Sequence, residues 1–193
     1  MPLLAFAWLS NQAICQTSYQ LQSAEMSIAG TSTLHKWESP VTQIDFKGSV
    51  VLKDNELHTI KDVKLTIPVL GIKSTKGKTM DKKTWEALKS EEHPNILCSL
   101  NTFDIKSASE DNYTISAKGD LTVAGSTQPL ELQFTAKYTD TELLVFTGSK
   151  ALKMTDFNVK PPKALLGTLK TGDEITIKFT VKMKSTDTSS DSR

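Results

Sequence analysis

The stretch ITIKFTVKMK, residues 175–184, alternates apolar and polar side chains without an exception. Successive side chains of a β-strand point to opposite faces of the sheet, so this period of two predicts a strand with one buried and one solvated face. An amphipathic helix would instead repeat its apolar residues every third or fourth position. The fold is therefore predicted to be built from half-buried β-strands.

The same alternation recurs along most of the chain. The segments that we predict as strands are 19–29, 41–53, 63–67, 95–104, 111–124, 130–138, 142–154 and 175–184. The links between them are short and polar, for example Ser109-Glu110-Asp111-Asn112, which is typical of antiparallel hairpins. The chain is therefore predicted to be all-β, with about eight antiparallel strands.

One segment, residues 74–90, breaks the period of two. Its apolar side chains recur at roughly helical spacing, at Met80, Trp85 and Leu88. Ser74 or Thr75 is suited to cap the start of a helix, because a hydroxyl side chain accepts a hydrogen bond from a free N–H group in the first turn. We expect one short helix here.

The strands can be arranged in two ways. They can stack as two sheets, or they can close into a barrel, which also removes the exposed sheet edges. Periodicity alone does not distinguish these arrangements. A closed barrel of about eight strands has room either for its own side chains or for one small ligand, so the interior decides the function.

Length and charge exclude several classes of protein. The 193 residues fit one domain, and 23 basic against 22 acidic residues leave a net charge of +1. The chain therefore lacks the basic surplus that would indicate binding to nucleic acid. The apolar stretch at residues 2–9 is too short to span a bilayer, so an integral membrane protein is not expected.

The two ends of the chain differ in composition from its body. Residues 1–18 are interpreted as a truncated or atypical signal segment, because the basic residues that usually begin such a segment are missing. A lipid anchor on Cys15 is the alternative. Residues 185–193 hold no apolar side chain and are predicted to be disordered, which leaves 19–184 as the single domain.

No motif for metal, cofactor or catalytic chemistry was found. The histidines His35, His58 and His93 lack metal-ligand spacing, and neither a nucleophile elbow nor a phosphate loop occurs. Cys98 lies in an apolar run and is interpreted as a core residue rather than a nucleophile. We therefore expect no cofactor, no metal and no enzymatic activity.

Three segments resemble the YceI-like family. They are residues 119–130 (GDLTVAGSTQPL), residues 150–159 (KALKMTDFNV) and residues 72–96. Many members of the family carry a basic residue at the position of Met154. In the third segment, His93-Pro94 stands for the Tyr-Pro of the family. The resemblance covers roughly residues 19–184. It implies an extended, lipocalin-like antiparallel barrel, commonly periplasmic or secreted, that holds a long isoprenoid-type lipid.

The residues predicted to contact such a ligand come from the alternating strands and the helix. The inward-facing strand residues are Phe46, Val50, Leu65, Ile67, Leu121, Val123, Leu132, Phe134, Ile177 and Phe179. Trp85, Leu88 and Phe157 are predicted to close the ends of the cavity. A homodimer is a further possibility that the sequence leaves open.

Two alternatives to a lipid carrier remain at this stage. The first is a protein-interaction module in which the same barrel packs its own core. The second is an enzyme that acts on a lipid inside the barrel, with His35 as its candidate, although His35 at an ordinary strand end is the simpler interpretation. The lysines of residues 73–83 could meet a phosphate head group, but we interpret them as solvated charge.

Overall fold

The structure is a computed structural model, and it describes residues 16–53, 56–139, 143–164 and 169–186. Ten strands and one α-helix lie within these residues. The strands are β1 Gln16–Ser32, β2 Lys36–Val41, β3 Asp45–Lys53, β4 Glu56–Pro68, β5 Asn95–Ser109, β6 Asn112–Val123, β7 Ser126–Tyr138, β8 Leu143–Lys153, β9 Lys163–Ala164 and β10 Leu169–Ser185. The helix α1 is Lys78–Ala87, and 3-10 turns cover Val69–Gly71 and Met154–Phe157.

Eight of the strands close into an antiparallel barrel. Its order is β1-β3-β4-β5-β6-β7-β8-β10, and β10 pairs with β1 to complete the circle. Of the other two, β2 pairs with the far half of β1 and the two-residue β9 pairs with β10. The predicted all-β, lipocalin-like barrel with one short helix is therefore confirmed, and of the two arrangements left open it is the closed one.

The predicted strand 41–53 is divided in two. Val41 ends β2 and forms a bridge with Ile72, while the Thr42 N–H donates to the Gly71 carbonyl at 2.8 Å. The chain then turns before β3 begins at Asp45. At the end of β2 the chain thus contacts the segment after β4 in addition to β1, and the sequence pattern does not reveal this contact.

The helix begins later than expected. Its N-cap residue is Gly77, at φ 91°, so the prediction of Ser74 or Thr75 as the cap was wrong. The backbone N–H of Ser74 instead donates to the Asp81 carboxylate at 2.6 Å, which ties the preceding loop to the first turn. Only Gly tolerates a positive φ of this kind without strain, which is why the helix starts there.

The barrel also extends slightly beyond the predicted domain limits. β1 begins at Gln16, and Thr186 donates its backbone N–H to the Ser18 carbonyl at 2.8 Å. Residues 1–15 of the predicted signal segment and residues 187–193 of the predicted tail lie outside the described residues. Those two interpretations remain predictions.

A tight turn fixes the register of β6 against β7. Val123 pairs with Ser126, and the two residues between them have positive φ values, 48° at Ala124 and 81° at Gly125. Two consecutive positive φ values are typical of a type I′ turn, whose twist matches that of antiparallel strands. The family-like segment 119–130 is therefore a hairpin that aligns the inward residues of both strands.

One end of the barrel is filled by its own side chains. Ile115 and Leu144 are 0% exposed, and the aromatic ring of Tyr113 is buried beside them. The Tyr113 hydroxyl accepts a hydrogen bond from the Leu57 backbone N–H at 3.1 Å, which satisfies a buried donor on another strand. We call this half of the interior, with Tyr19, Leu52, Leu57, Tyr113, Ile115, Ala136 and Leu144, the closed end.

Candidate ligand-binding cavity

The other half of the barrel interior contains a cavity of about 490 Å³. Ligand pockets in proteins usually occupy about 300–1,000 Å³, so this space is large enough for a small organic molecule. The wall comes from all eight barrel strands together with residues of α1 and of the β1–β2 turn. We call this half the open end.

The apolar face of β10 extends through both halves of the barrel interior. On β10, Val181 and Met183 are buried at 8% and 1% exposure, while Ile177 and Phe179 on the same face are only half-buried. All four line the cavity. The half-buried pair leaves apolar surface available to a ligand, because part of each side chain faces the cavity.

An aromatic cluster forms part of the cavity wall. The Phe134 ring centroid is 6.1 Å from that of Phe146 and 6.0 Å from that of Phe179, and both pairs meet edge to face. This geometry is the one that aromatic rings favour. Gly148 makes it possible, since a Cβ there would lie 2.5 Å from the Phe179 ring. All three rings line the cavity.

The cavity reaches the protein surface beside α1. Leu34 in the β1–β2 turn is 69% exposed and Met80 on α1 is 37% exposed, and both line the cavity. His35 also lines it, with Nδ1 3.2 Å from the Ser32 hydroxyl. His35 therefore lies at the mouth, but it belongs to an exposed turn whose contact is local.

Trp85 does not line the cavity, so the structure does not place it where the sequence analysis expected. Its indole N–H donates to the Ile72 carbonyl at 3.1 Å, and the Lys73 ammonium lies 4.3 Å from its ring centroid. The indole thus anchors α1 to the segment after β4. The neighbouring residues Thr84 and Leu88 are the ones that face the cavity.

Phe157 is 5% exposed and lines the cavity from the 3-10 turn after β8. Two hydrogen bonds attach this turn to β10: Asp173 accepts from the Thr155 N–H at 2.9 Å and from the Thr155 hydroxyl at 2.6 Å. Those hydrogen bonds lower the pKa of the Asp173 carboxyl. Gln128 on β7 adds a third attachment by donating to the Asp156 carbonyl.

The barrel wall is incomplete between β7 and β8 at this end. Their pairing runs from Tyr138 opposite Leu144 to Phe134 opposite Gly148 and stops there. Beyond that point the Lys150 ammonium donates to the Glu131 carbonyl at 2.6 Å. A half-buried lysine thus connects the two strands where the backbone ladder ends.

Cys98 lines the cavity from β5. Burial raises the pKa of its thiol to about 11, and the charge of Asp120 acts in the same direction. A thiol is nucleophilic as its anion, so Cys98 is unreactive at neutral pH. This agrees with its interpretation as an apolar packing residue.

The predicted contact residues, Trp85 aside, lie together in the cavity wall. That they bind a ligand remains a prediction. Sequence analysis did not select several other wall residues, namely Met26, Ile28, Cys98, Leu100 and Leu152. The same alternation on β1, β5 and β8 would have found them, but it could not have told the open end from the closed end.

Neither a metal-binding cluster nor a membrane-spanning helix occurs within the described residues. No group of three or more His, Cys, Asp or Glu side chains among residues 16–53, 56–139, 143–164 and 169–186 could hold a metal ion. No helix in that same part of the chain is long and apolar enough to cross a membrane.

The model of the YceI-like domain matches residues 19–183. The chain belongs to the YceI-like family. Its domain therefore coincides with the barrel and includes every strand that lines the cavity. No curated protein sequence matches the chain significantly.

Solved structures share this YceI-like fold at low sequence identity. BcnA of Burkholderia cenocepacia is 17% identical, with a TM-score of 0.62 over 82% of this chain and 95% of its own. A polyisoprenoid binding domain from Saccharophagus degradans, implicated in plant cell wall breakdown, is 7% identical, with a TM-score of 0.63 over 90% of this chain and 99% of its own. The YceI protein of Campylobacter jejuni is 14% identical, with a TM-score of 0.52 over 76% of this chain and 86% of its own.

Proposed function

We propose that this protein binds the apolar chain of an isoprenoid-type lipid inside its barrel, as a periplasmic or secreted carrier or reservoir and without catalysing a reaction. The observation that carries the proposal is the apolar cavity of about 490 Å³, which reaches the surface beside α1. Family membership supports it, as does the name of the Saccharophagus degradans domain.

The size of the cavity allows an estimate of the binding energy. A water-sized group occupies about 30 Å³, so the space holds roughly sixteen such groups. Burial of about sixteen methylene-sized groups at about 0.8 kcal/mol each contributes ~13 kcal/mol. Association itself costs about 4–15 kcal/mol, so apolar contact offsets most or all of that cost. A fatty acyl chain of similar area would gain as much, and the isoprenoid preference rests on the family.

The alternative of an interaction module with a filled core has less support, because only the closed end is filled. The alternative of an enzyme depended on His35, whose only side-chain hydrogen-bond partner among the described residues is the hydroxyl of Ser32 in the same turn. Export and a homodimeric state stay predictions, which cell fractionation and size-exclusion chromatography with light scattering would test.

The decisive experiment is native mass spectrometry of the protein expressed with export into a bacterial envelope, followed by organic extraction and identification of the released molecule. We expect a bound isoprenoid. A fatty acid in its place would keep the carrier function and change the ligand. A consistently empty protein that also fails to bind added prenyl lipids would overturn the proposal.

A matched pair of variants links the bound lipid to the cavity. Leu132 on β7 lines the cavity, whereas its neighbour Gln133 is exposed on the outer face. We expect Leu132→Trp to fill the cavity and abolish the bound mass, and Gln133→Trp to retain it. Equal retention in both variants would place the lipid outside the barrel.

A further inference from the structure

The wall of the cavity has a gap between β7 and β8. The pairing of β6 with β7, and that of β8 with β10, continues to the ends of these strands at the open end. The pairing of β7 with β8 stops at Phe134 opposite Gly148. Beyond that point the described residues 126–133 of β7 and 149–153 of β8 form no ladder with each other. We call this opening the β7–β8 gap.

A proline on β7 fits the gap and would not fit a continuous ladder. Hydrogen-bonded and non-hydrogen-bonded pairs alternate along antiparallel strands. Val123 and Ser126 close a two-residue hairpin and so form a hydrogen-bonded pair, which makes Asp120 and Pro129 a non-hydrogen-bonded pair. The backbone nitrogen of Pro129 therefore faces the gap. Because proline has no N–H to donate, it is tolerated where a strand lacks a partner.

A lysine occupies an inward position beside the gap. Lys150 on β8 is paired with Ile177 of β10, whose side chain lines the cavity, and directly paired residues point to the same face. The Lys150 ammonium nevertheless donates to the backbone carbonyl of Glu131 on β7 at 2.6 Å. The side chain thus starts on the inner face and ends in the gap, which keeps its charge out of the apolar interior.

The wide end of the gap is also held by side chains. Gln128 on β7 donates to the Asp156 carbonyl at 2.9 Å, and the Asn158 amide donates to the Ser126 hydroxyl at 3.4 Å. These contacts, like the lysine contact, are exposed to solvent. An exposed hydrogen bond contributes little net stability, because water replaces it on opening. The barrel wall therefore opens more easily at the β7–β8 gap than at a continuous backbone ladder.

We propose that the β7–β8 gap is a lateral portal through which an apolar chain enters and leaves the barrel, with Lys150 as its latch. The inference rests on the proposed function and concerns the route of the chain. When the ammonium of Lys150 moves to solvent, the wall opens between Leu132 and Leu152, which are half-buried and line the cavity. A chain then enters sideways along its length, whereas entry beside α1 has to begin at one end of the chain.

The first test closes the portal reversibly with zinc. Gln133 and Ser149 are exposed at the first register position beyond the end of the ladder, so Gln133→His with Ser149→His places two imidazoles across the gap for zinc to join. The control is Thr135→His with Thr147→His, at exposed positions that are directly opposite in the ladder. Native mass spectrometry verifies that each variant has bound zinc.

Stopped-flow fluorescence with N-phenyl-1-naphthylamine, a neutral apolar probe, measures the association and dissociation rates. We expect zinc to lower both rates by about tenfold in the gap variant, with the dissociation constant unchanged, because blocking a route alters neither end state. The rates of the control variant should not change. The parent protein with zinc corrects for binding to the native histidines His35, His58 and His93.

The second test releases the latch and needs no metal. Lys150→Met retains an unbranched side chain but removes the ammonium that donates to the Glu131 carbonyl. Lys178→Met is the matched control, because it removes an exposed lysine from the adjacent strand β10 and changes the net charge equally. We expect both rates to rise together by about fivefold in Lys150→Met and to stay unchanged in Lys178→Met.

The outcomes separate the two proposals. Failure of the parent protein to bind the probe or farnesol would contradict the proposed apolar-chain function itself. Binding with unchanged rates in the zinc-loaded gap variant, or in Lys150→Met, would leave that function intact and overturn the portal, because the chain would then pass beside α1. Equal slowing by zinc in the gap variant and in the control variant would also overturn it, since general stiffening of the barrel would explain the effect.

Discussion

The two ends of the barrel are built from the same strands and the same alternation, yet they differ in what their inward side chains contact. At the closed end, Ile115 and Leu144 are 0% exposed and Tyr113 bonds across to β4. At the open end, Leu132 and Leu152 on the same strands as closed-end residues are only half-buried. One half therefore contributes stability, and the other half contributes space for a ligand.

The largest expected difference between the ends comes from one substitution at two positions of β8. Leu144→Ala removes a fully buried side chain and should lower the free energy of unfolding by about 2–5 kcal/mol. Leu152→Ala acts on a cavity wall, where part of the side chain already lacks contacts, so the loss should be about 1 kcal/mol or less. Denaturant unfolding measures both. Equal losses would show that the two ends are packed alike.

Enlarging a side chain should destabilise the closed end more than the open end, even when the open-end substitution adds more atoms. Ala136→Leu on β7 adds atoms at the closed end, where Ala136 is 1% exposed, and should cost about 1–3 kcal/mol through overpacking. Leu132→Trp adds more atoms but directs them into the cavity, so its cost should be smaller. Thermal unfolding compares them, and a larger loss for Leu132→Trp would mean that the cavity is closed to side chains.

The Tyr113 hydroxyl provides a polar test of the closed end. Tyr113→Phe leaves the Leu57 N–H buried without an acceptor, which should lower the free energy of unfolding by about 1–3 kcal/mol. Tyr138→Phe is the control, because the Tyr138 hydroxyl forms no side-chain hydrogen bond to a described residue and Tyr138 is only half-buried. Similar stability of the two variants would indicate that water reaches the closed end.

The smallest effect is expected from the Cys98 thiol at the open end. With a pKa of about 11 against an ordinary 9.0, Cys98 should react with a disulfide reagent much more slowly than a free thiol at pH 8. The rate should rise steadily between pH 9 and 11, and bound lipid should slow it further. A Cys15→Ser background makes Cys98 the only thiol of the chain. Rapid reaction at pH 8, as fast as a free thiol, would contradict burial of Cys98.

The same pKa has a consequence for stability. Because the pKa of Cys98 is raised in the folded state, its contribution is fully present below pH 9 and is lost as the pH rises toward about 11. Other groups titrate in that range, so the difference between the parent protein and Cys98→Ala isolates the effect. A pH-independent difference would show that the thiol is solvated.

Local pattern was sufficient to predict most of the strands and part of the cavity wall. Leu65 and Ile177 were found because alternation alone assigns a side chain to the inner face, whatever the neighbouring strand is. Trp85 lies outside the cavity wall, and helical spacing alone does not give the direction in which such an apolar residue faces. Its partner, the Ile72 carbonyl, is 13 residues away in the chain.

The sequence by itself determined that the chain forms antiparallel strands with one apolar face, since a period of two depends only on the geometry of each strand. Only the tertiary structure decided that the strands close into a barrel, that its interior is filled at one end and hollow at the other, and that the cavity opens beside α1. The physical reason is that register and closure depend on contacts between distant strands, and alternation has the same form at the filled end and at the hollow one.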